Sequence, residues 1–447
     1  MTGLVLCILA FGATYWAGKR SLGWGVVGLL TFGYFYGILR ANYLSTFTYF
    51  IFDSALLGLY LSQSWKRSSD SSQSSSLRVW LLLLLLWPAA LVLMPFQPLL
   101  VSLVGLRGAV LFLPIAWLGS RLRGADVSHL SIGMAALNLA AAAFAGAEYF
   151  LGLPRFYPEN ATTMIIYASA DVAGGFYRIP ATFVTAHAFG GMMVASIPFL
   201  IGAWEQSQDR RVRLFAILGA AAALVGVLMS ATRMNFVVGA ALVLVAIVHG
   251  RMKIGRRAIF MALIALTLVV ALRNERFQRF KSLSDTDTVE DRISGSVNRS
   301  FLEILIEYPL GNGLGGGGTS IPYFLQGQVR NPIGLENEYA RILCEQGIIG
   351  LALWLGFIAW FLSRFKSVFA PGPWATTRRL IWGLTVLGLV TSTLGTGMLT
   401  AIPQTAVFLL GIGFVTTPMT SESAARRQVG MRQPMAPQQP YRPVPSV

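Results

Sequence analysis

Charge is scarce in this chain. Asp, Glu, Lys and Arg make up only 12% of its 447 residues, against about 25% in soluble domains. With 55% hydrophobic residues and a mean hydropathy of +0.61, it excludes an ordinary soluble fold. Cysteine is nearly missing: Cys7 and Cys344 lie far apart in apolar runs, without metal-ligand spacing, and receive no redox role. The three histidines form no metal-spaced cluster with carboxylates. Alternating ten-residue strands are missing, which argues against an outer-membrane barrel. No Lys-Ser/Thr ending follows the one glycine-rich stretch, which argues against a nucleotide-binding loop.

What the chain has is apolar runs approaching the roughly 20 residues that a helix needs to cross a bilayer. We read thirteen, at about 3–17, 22–38, 47–62, 79–94, 99–118, 130–151, 183–203, 214–230, 234–249, 258–272, 342–362, 380–397 and 404–418. Three are short, so the fold class is an all-α polytopic helical bundle of about 12–13 transmembrane helices. The net charge of +16 would suggest nucleic acid in a soluble protein. Here the cations sit in short loops and read as topology determinants, so no nucleic-acid partner is expected. If residues 18–21 are cytoplasmic, eighteen Lys and Arg, from Lys19 to Arg379, fall in short loops on that side. Arg40, Arg155, Arg178 and Arg233 fall opposite. That asymmetry is a positive-inside signal. The first apolar run has no basic residue before it, so a cleaved signal peptide is not expected.

The expected organisation is N-terminal helices over 1–151, central helices over 152–272, a long outer loop over 273–341, C-terminal helices over 342–418 and a disordered cytoplasmic tail over 419–447. Ser68–Ser76 reads as a flexible cytoplasmic loop. The outer loop holds nine of the nineteen acids. Its Ile293–Tyr308 stretch has the apolar spacing of an amphipathic helix lying on the membrane surface. The acids at Asp285, Asp287, Glu290 and Asp291 read as a solvated face.

Topology then gathers residues that are distant in sequence. Arg178 falls at the outer mouth of the seventh span, Arg233 in the short hairpin Ser230-Ala231-Thr232-Arg233, and Glu336 at the end of the outer loop. Two guanidiniums beside a carboxylate suit an anionic lipid-linked substrate, because Arg presents a fork of donors matching phosphate oxygens. The simpler reading is that each Arg snorkels to headgroups or pairs with a nearby acid. Gly311-Asn312-Gly313-Leu314-Gly315-Gly316-Gly317-Gly318 reads either as a backbone cradle for phosphate or as a flexible turn. His187 is a proton carrier or a packed hydrogen-bonding residue. Arg107, inside the fifth span, should face the bundle interior.

Glu336-Asn337-Glu338-Tyr339, then Leu343, Glu345-Gln346-Gly347-Ile348-Ile349-Gly350-Leu351, all preceded by Pro309-Leu310-Gly311-Asn312-Gly313-Leu314-Gly315, resembles the central signature of the bacterial O-antigen ligase and O-antigen polymerase superfamily. Arg178-Ile179-Pro180-Ala181-Thr182-Phe183 and Ser230-Ala231-Thr232-Arg233-Met234 resemble its two other recurring segments. The resemblance covers about 170 to 420. It implies a metal-independent, cofactor-free glycosyltransferase of the C-type membrane class (GT-C) in the bacterial inner membrane. It further implies a periplasmic active site, a cytoplasmic C-terminus and an undecaprenyl-pyrophosphate-linked glycan as donor and acceptor.

Carried over residue by residue, Arg178 and Arg233 stand at the pyrophosphate-binding positions, and Glu336 stands where the ligases have a His. That departure favours polymerisation of an exopolysaccharide, capsule or O-antigen repeat over transfer to lipid A core. Glu336 would act as general base in an inverting displacement, with Glu338 as a rival. Asn337 would orient the carboxylate, Tyr339 and Arg341 would line the acceptor groove, and Asn312 and His187 would support. Membrane lipids, a flippase and a chain-length regulator are the implied partners. The reading from another class is a transporter or flippase of lipid-linked sugars, whose site should lie near the bilayer midplane.

Overall fold

A chain in a bilayer has to satisfy its backbone donors and acceptors internally, and a helix does so within one segment. The computed structural model describes residues 1–64, 75–168, 177–249, 300–318, 321–335, 337–395 and 397–417, with isolated helical positions Gly255, Ala258, Ala262, Ala265 and Val269. Outside the described residues lie the expectations for 68–74, the tenth span at 258–272 apart from those isolated positions, the acidic group Asp285–Asp291, the first part of Ile293–Tyr308, Glu336 and the tail over 419–447.

Among the described residues there is no strand, and the chain is an all-α polytopic membrane protein. In chain order its main helices are α1 (Thr2–Arg20), α2 (Leu22–Tyr34), α3 (Tyr36–Asn42), α4 (Ile51–Ser64), α5 (Ser75–Leu91), α6 (Leu99–Val110), α7 (Leu113–Gly119) and α8 (Gly124–Leu151). There follow α9 (Ala186–Gln206), α10 (Arg210–Met229), α11 (Arg233–His249), α12 (Ser300–Glu307), α13 (Glu338–Ser363), α14 (Ala375–Thr391) and α15 (Gln404–Thr416).

Six segments among the described residues are long and apolar enough to cross a membrane: α1, α6 with α7, α8, α9, α10, and α13 continuing to Phe369. A seventh arises if α2 and α3, bent by 40°, act as one. Shorter apolar helices, α5, α11 and α15, accompany them. A 13-residue helix such as α15 reaches only about 20 Å at 1.5 Å per residue, short of a 30 Å hydrocarbon core.

α9 is the central helix, buried from Ala186 to Trp204 except at His187. Small residues let its neighbours approach this closely, as at membrane helix interfaces generally. A Cβ on Gly191 would lie 2.1 Å from the Gln404 side chain, and one on Gly202 would overlap Thr377 of α14. Around α9 pack α8, α10, α11, α14 and α15, while α1, α2 and α4 form a second layer beyond α8. A buried polar chain ties the layers: Tyr34 donates to Asn138 Oδ1 at 2.6 Å, and Asn138 donates to Ser196 Oγ at 2.8 Å. Arg107 faces inward, its Nη2 donating to Asp53 at 2.8 Å, so its charge is paired.

Several irregular segments among the described residues meet at one end of the bundle: 43–50, 152–168, 177–185, the turn at 230–232, 308–318, 321–335, and 392–395 with 397–403. α3 joins two of these segments, because Ile38 N–H donates to Thr182 O at 3.1 Å. Gln97 joins another pair by exchanging two hydrogen bonds with the Arg330 backbone.

Candidate active site

At this end the start of α9 touches both arginine-bearing segments. Thr185 caps the helix, accepting Ala188 N–H on its hydroxyl, and leaves His187 exposed in the first turn. Arg178 Nη1 lies 2.8 Å from His187 Nε2. A guanidinium can only donate, so Nε2 is the acceptor and the imidazole proton sits on Nδ1. The His187 carbonyl accepts Asn235 Nδ2 at 3.2 Å, and Asn235 also donates to Thr232 Oγ1 at 3.0 Å. Gly190 makes room for the turn: a Cβ there would stand 2.5 Å from Ser230 Oγ and 2.6 Å from Thr232 Oγ1. Arg233, half-buried, is the first residue of α11, where the positive end of the helix dipole adds to its own charge.

Each arginine segment contains an alanine in left-handed backbone, Ala181 at φ 50° and Ala231 at φ 49°. Such a conformation persists where the surroundings enforce it. Around Ala181 they do. Its N–H donates to Glu148 Oε2 at 2.9 Å, and its carbonyl accepts the Tyr157 hydroxyl at 2.6 Å. Burial pushes the Tyr157 phenol well above its ordinary range, with Glu148 adding to the effect, so the hydroxyl keeps the proton it donates.

The second part of the site is the start of α13, where several expectations change. Glu336 lies outside the described residues, between buried Leu335 and buried Asn337. Asn337 caps α13: its Oδ1 accepts Tyr339 N–H at 2.8 Å and Ala340 N–H at 3.2 Å, which leaves its Nδ2 as the donor side of the amide. Glu338, the expected rival base, has both oxygens occupied, Oε1 by the Arg341 guanidinium and Oε2 by Gly397 N–H at 2.9 Å. Arg341 does not line an open groove. It is 4% exposed and is held between Glu338 and Glu345, the latter at 2.7 Å. Tyr339 donates its hydroxyl to Leu389 O at 2.8 Å.

The glycine-rich segment is a packed connection, not a free turn. Residues 311–317 are buried, and Gly311, Gly313 and Gly315 have φ of 91°, 87° and 84°, which side chains disfavour. α13 breaks at Gly347, φ 68°, and the loop takes up the backbone groups that the break releases. Asn312 N–H donates to Cys344 O, Ile348 N–H donates to Pro309 O at 3.0 Å, and Trp87 Nε1 donates to Gln346 O at 2.9 Å. The Asn312 side chain donates to Asn331 O at 3.0 Å and so fixes the approach to residue 336. Among the described residues, no three His, Cys, Asp or Glu side chains converge where a metal could sit.

Glu148, Tyr157 and Asn235 were not singled out from sequence, and Glu345 entered only as part of the quoted signature. Glu148 had a legible signal, a lone acid near the end of a long apolar run, and Asn235 had its place two residues after Arg233. Tyr157 offered none.

The class so defined is a polytopic helical membrane protein with two arginine-bearing turns and the head of a broken helix at one end. Residues 218–355 match the family model described as O-antigen ligase (Wzy_C). That range covers less than half of the chain. It takes in the Arg233 turn, the glycine-rich segment and the head of α13, stops short of Arg178, and supports the O-antigen ligase and polymerase superfamily. No curated protein matches the chain.

Proposed function

We propose that this protein is a membrane glycosyltransferase that polymerises undecaprenyl-pyrophosphate-linked oligosaccharide repeats on the periplasmic face of the inner membrane. The observation that carries the reading is the contact made by the start of α9, which binds Arg178 through His187 and the Arg233 turn through Asn235. The family match over the Arg233 turn and the head of α13 supports the same chemistry.

In this reading the acceptor sugar hydroxyl attacks the anomeric carbon of the donor. The new C–O bond forms as the bond from that carbon to the pyrophosphate oxygen breaks, and the anomeric centre inverts. Glu336 takes the hydroxyl proton, an assistance typically worth about 10²–10⁴ in rate. Arg178 and Arg233 hold the donor pyrophosphate and face the charge that grows on it as it leaves, so their loss costs donor binding as well as transition-state stabilisation.

The test is incubation of the purified full chain with a synthetic undecaprenyl pyrophosphate repeat unit, followed by mass spectrometry. Wild type should yield dimers and longer products, and Glu336→Gln should yield none while remaining folded. Near-normal product length from that variant would overturn the general-base assignment.

A ligase is the second reading, favoured by the matched family's description. Gene deletion separates the two: loss of a polymerase leaves single repeats, whereas loss of a ligase leaves long chains without an anchor.

A further inference from the structure

The N-terminal helices contribute something to this end of the bundle that the arginine turns do not use. Tyr49, from the 3₁₀ turn Thr46–Phe50, meets Tyr323 and Phe324, from the 3₁₀ helix Tyr323–Gln328, across more than 270 residues of sequence. The ring centroids are 6.2 Å apart for Tyr49 and Tyr323, and 5.7 Å apart with an edge-on geometry for Tyr49 and Phe324. Arg40 sits against this group, its Cζ 3.8 Å from the Tyr49 ring centroid.

The framework beneath is fixed. Tyr36 donates its hydroxyl to the Tyr49 carbonyl at 2.7 Å, Leu325 and Ile321 pack on Val101 and Val104, and Gln97 holds the far end of the 3₁₀ helix at Arg330. Leu325 is turned inward, Tyr323, 37% exposed, and Gln326 share the outward face, and Gln328 is exposed at the end of the helix.

This composition is specific in what it suits. An exposed aromatic face packs on the C–H face of a pyranose ring, while side-chain amides and a guanidinium supply paired donors and acceptors that match vicinal hydroxyls. A membrane-interface aromatic belt needs only isolated rings reaching the headgroups. Here rings from two remote segments touch, carry amides beside them and rest on a hydrogen-bonded base. The surface is also close to the candidate site. Arg40 is one helical turn beyond Gly37, where a Cβ would lie 2.0 Å from the Phe183 carbonyl carbon, and the 3₁₀ helix leads through residues 329–335 to Glu336.

We propose that Tyr49, Tyr323, Phe324, Gln326, Gln328 and Arg40 form a glycan-binding surface that holds sugar residues of the substrate chain beside the transfer site. The inference rests on the transferase reading for its biological role but not for its chemistry, so the two are tested apart.

The experiment uses the full chain in nanodiscs of neutral phosphatidylcholine and a surface panel of short synthetic oligosaccharides that carry neither lipid nor pyrophosphate. Wild type should bind at least one oligosaccharide class. Tyr323→Ala should weaken that binding by about tenfold or more, as expected for loss of one stacked ring. Tyr323→Trp, which keeps an aromatic face, should stay close to wild type, and Gln326→Ala with Gln328→Ala should bind more weakly.

Failure of wild type to bind any oligosaccharide, or unchanged binding by Tyr323→Ala, overturns the proposal. So does a Tyr323-dependent preference for phosphatidylglycerol nanodiscs without glycan binding, which would assign the surface to lipid headgroups. If Tyr323→Ala loses glycan binding while the wild-type protein extends no lipid-linked repeat, the surface stands and the transferase reading falls.

Discussion

Two groups of charged residues at the same end of the bundle meet opposite fates. Around the start of α9, Arg178 is only half-buried and shares one hydrogen bond with an exposed, neutral partner, His187. At the head of α13, Arg341 is nearly inaccessible and answers two carboxylates. The same guanidinium group is therefore left accessible in one place and locked between carboxylates in the other. What separates them is the sign of the local balance. Glu338 and Glu345 outnumber Arg341, so the group has no cation left for an anionic substrate. At Arg178 the hydrogen-bond partner brings no negative charge, and the guanidinium keeps its attraction for phosphate.

The strongest way to break this comparison is Arg341→Met. It leaves two buried carboxylates without their cation, a loss of about 3–5 kcal/mol where one member of a buried pair is removed. We expect a large fall in thermal unfolding temperature in detergent. The triple variant Arg341→Met, Glu338→Gln and Glu345→Gln should recover much of the loss, since it leaves no uncompensated charge. Equal stability of Arg341→Met and wild type would show that the group is not structural.

Arg178→Ala sharpens the other side. It removes a charge-assisted hydrogen-bond donor from the proposed phosphate position, worth about 1.5–3 kcal/mol. The apparent KM for the lipid-linked donor should rise by roughly 10- to 150-fold, as RT converts that range, while the unfolding temperature moves little. A large drop in stability with unchanged KM would assign Arg178 to the scaffold.

Glu148→Ala lies between the two in kind. It strands the Ala181 N–H in a buried, left-handed turn, a cost of about 1–3 kcal/mol for an unsatisfied donor. Both unfolding temperature and donor KM should suffer, because Ala181 is three residues from Arg178. Glu148→Gln keeps an acceptor oxygen and should restore most of both. If Gln fails where Ala fails, the charge rather than the acceptor is what matters.

Much of this was legible before any coordinates, for identifiable reasons. Hydropathy runs located the helices because apolar length is a one-dimensional property, and short-loop charge grouped Arg178 with Arg233 on one side. Arg341, three residues after Glu338 and four before Glu345, has the spacing of a helical ion pattern in sequence alone. What it could not disclose was burial, which depends on Gly317 packing beside Glu345 and on Gly397 donating to Glu338. The break at Gly347 was hidden for a similar reason. A glycine in an apolar helix is ordinary by sequence, and only the carbonyls taken up by Asn312 and Trp87 reveal that the helix is interrupted. Pairings made by irregular chain, such as Tyr157 with Ala181, leave no periodic trace.

The smallest expected effect tests the link on which the site reading depends. The Asn235 amide joins the His187 carbonyl to the Arg233 turn. Asn235→Ala removes a neutral hydrogen bond worth about 0.5–1.5 kcal/mol, so donor KM should rise by roughly two- to tenfold. A merely local role would give that rise independently of Arg178. If Asn235 acts by holding the two arginine segments in register, the effects are coupled, and Asn235→Ala should cost much less in an Arg178→Ala background. Strict additivity in this double-mutant cycle would mean that the two arginine turns work separately, and the contact through the start of α9 would no longer argue for one pyrophosphate held by both.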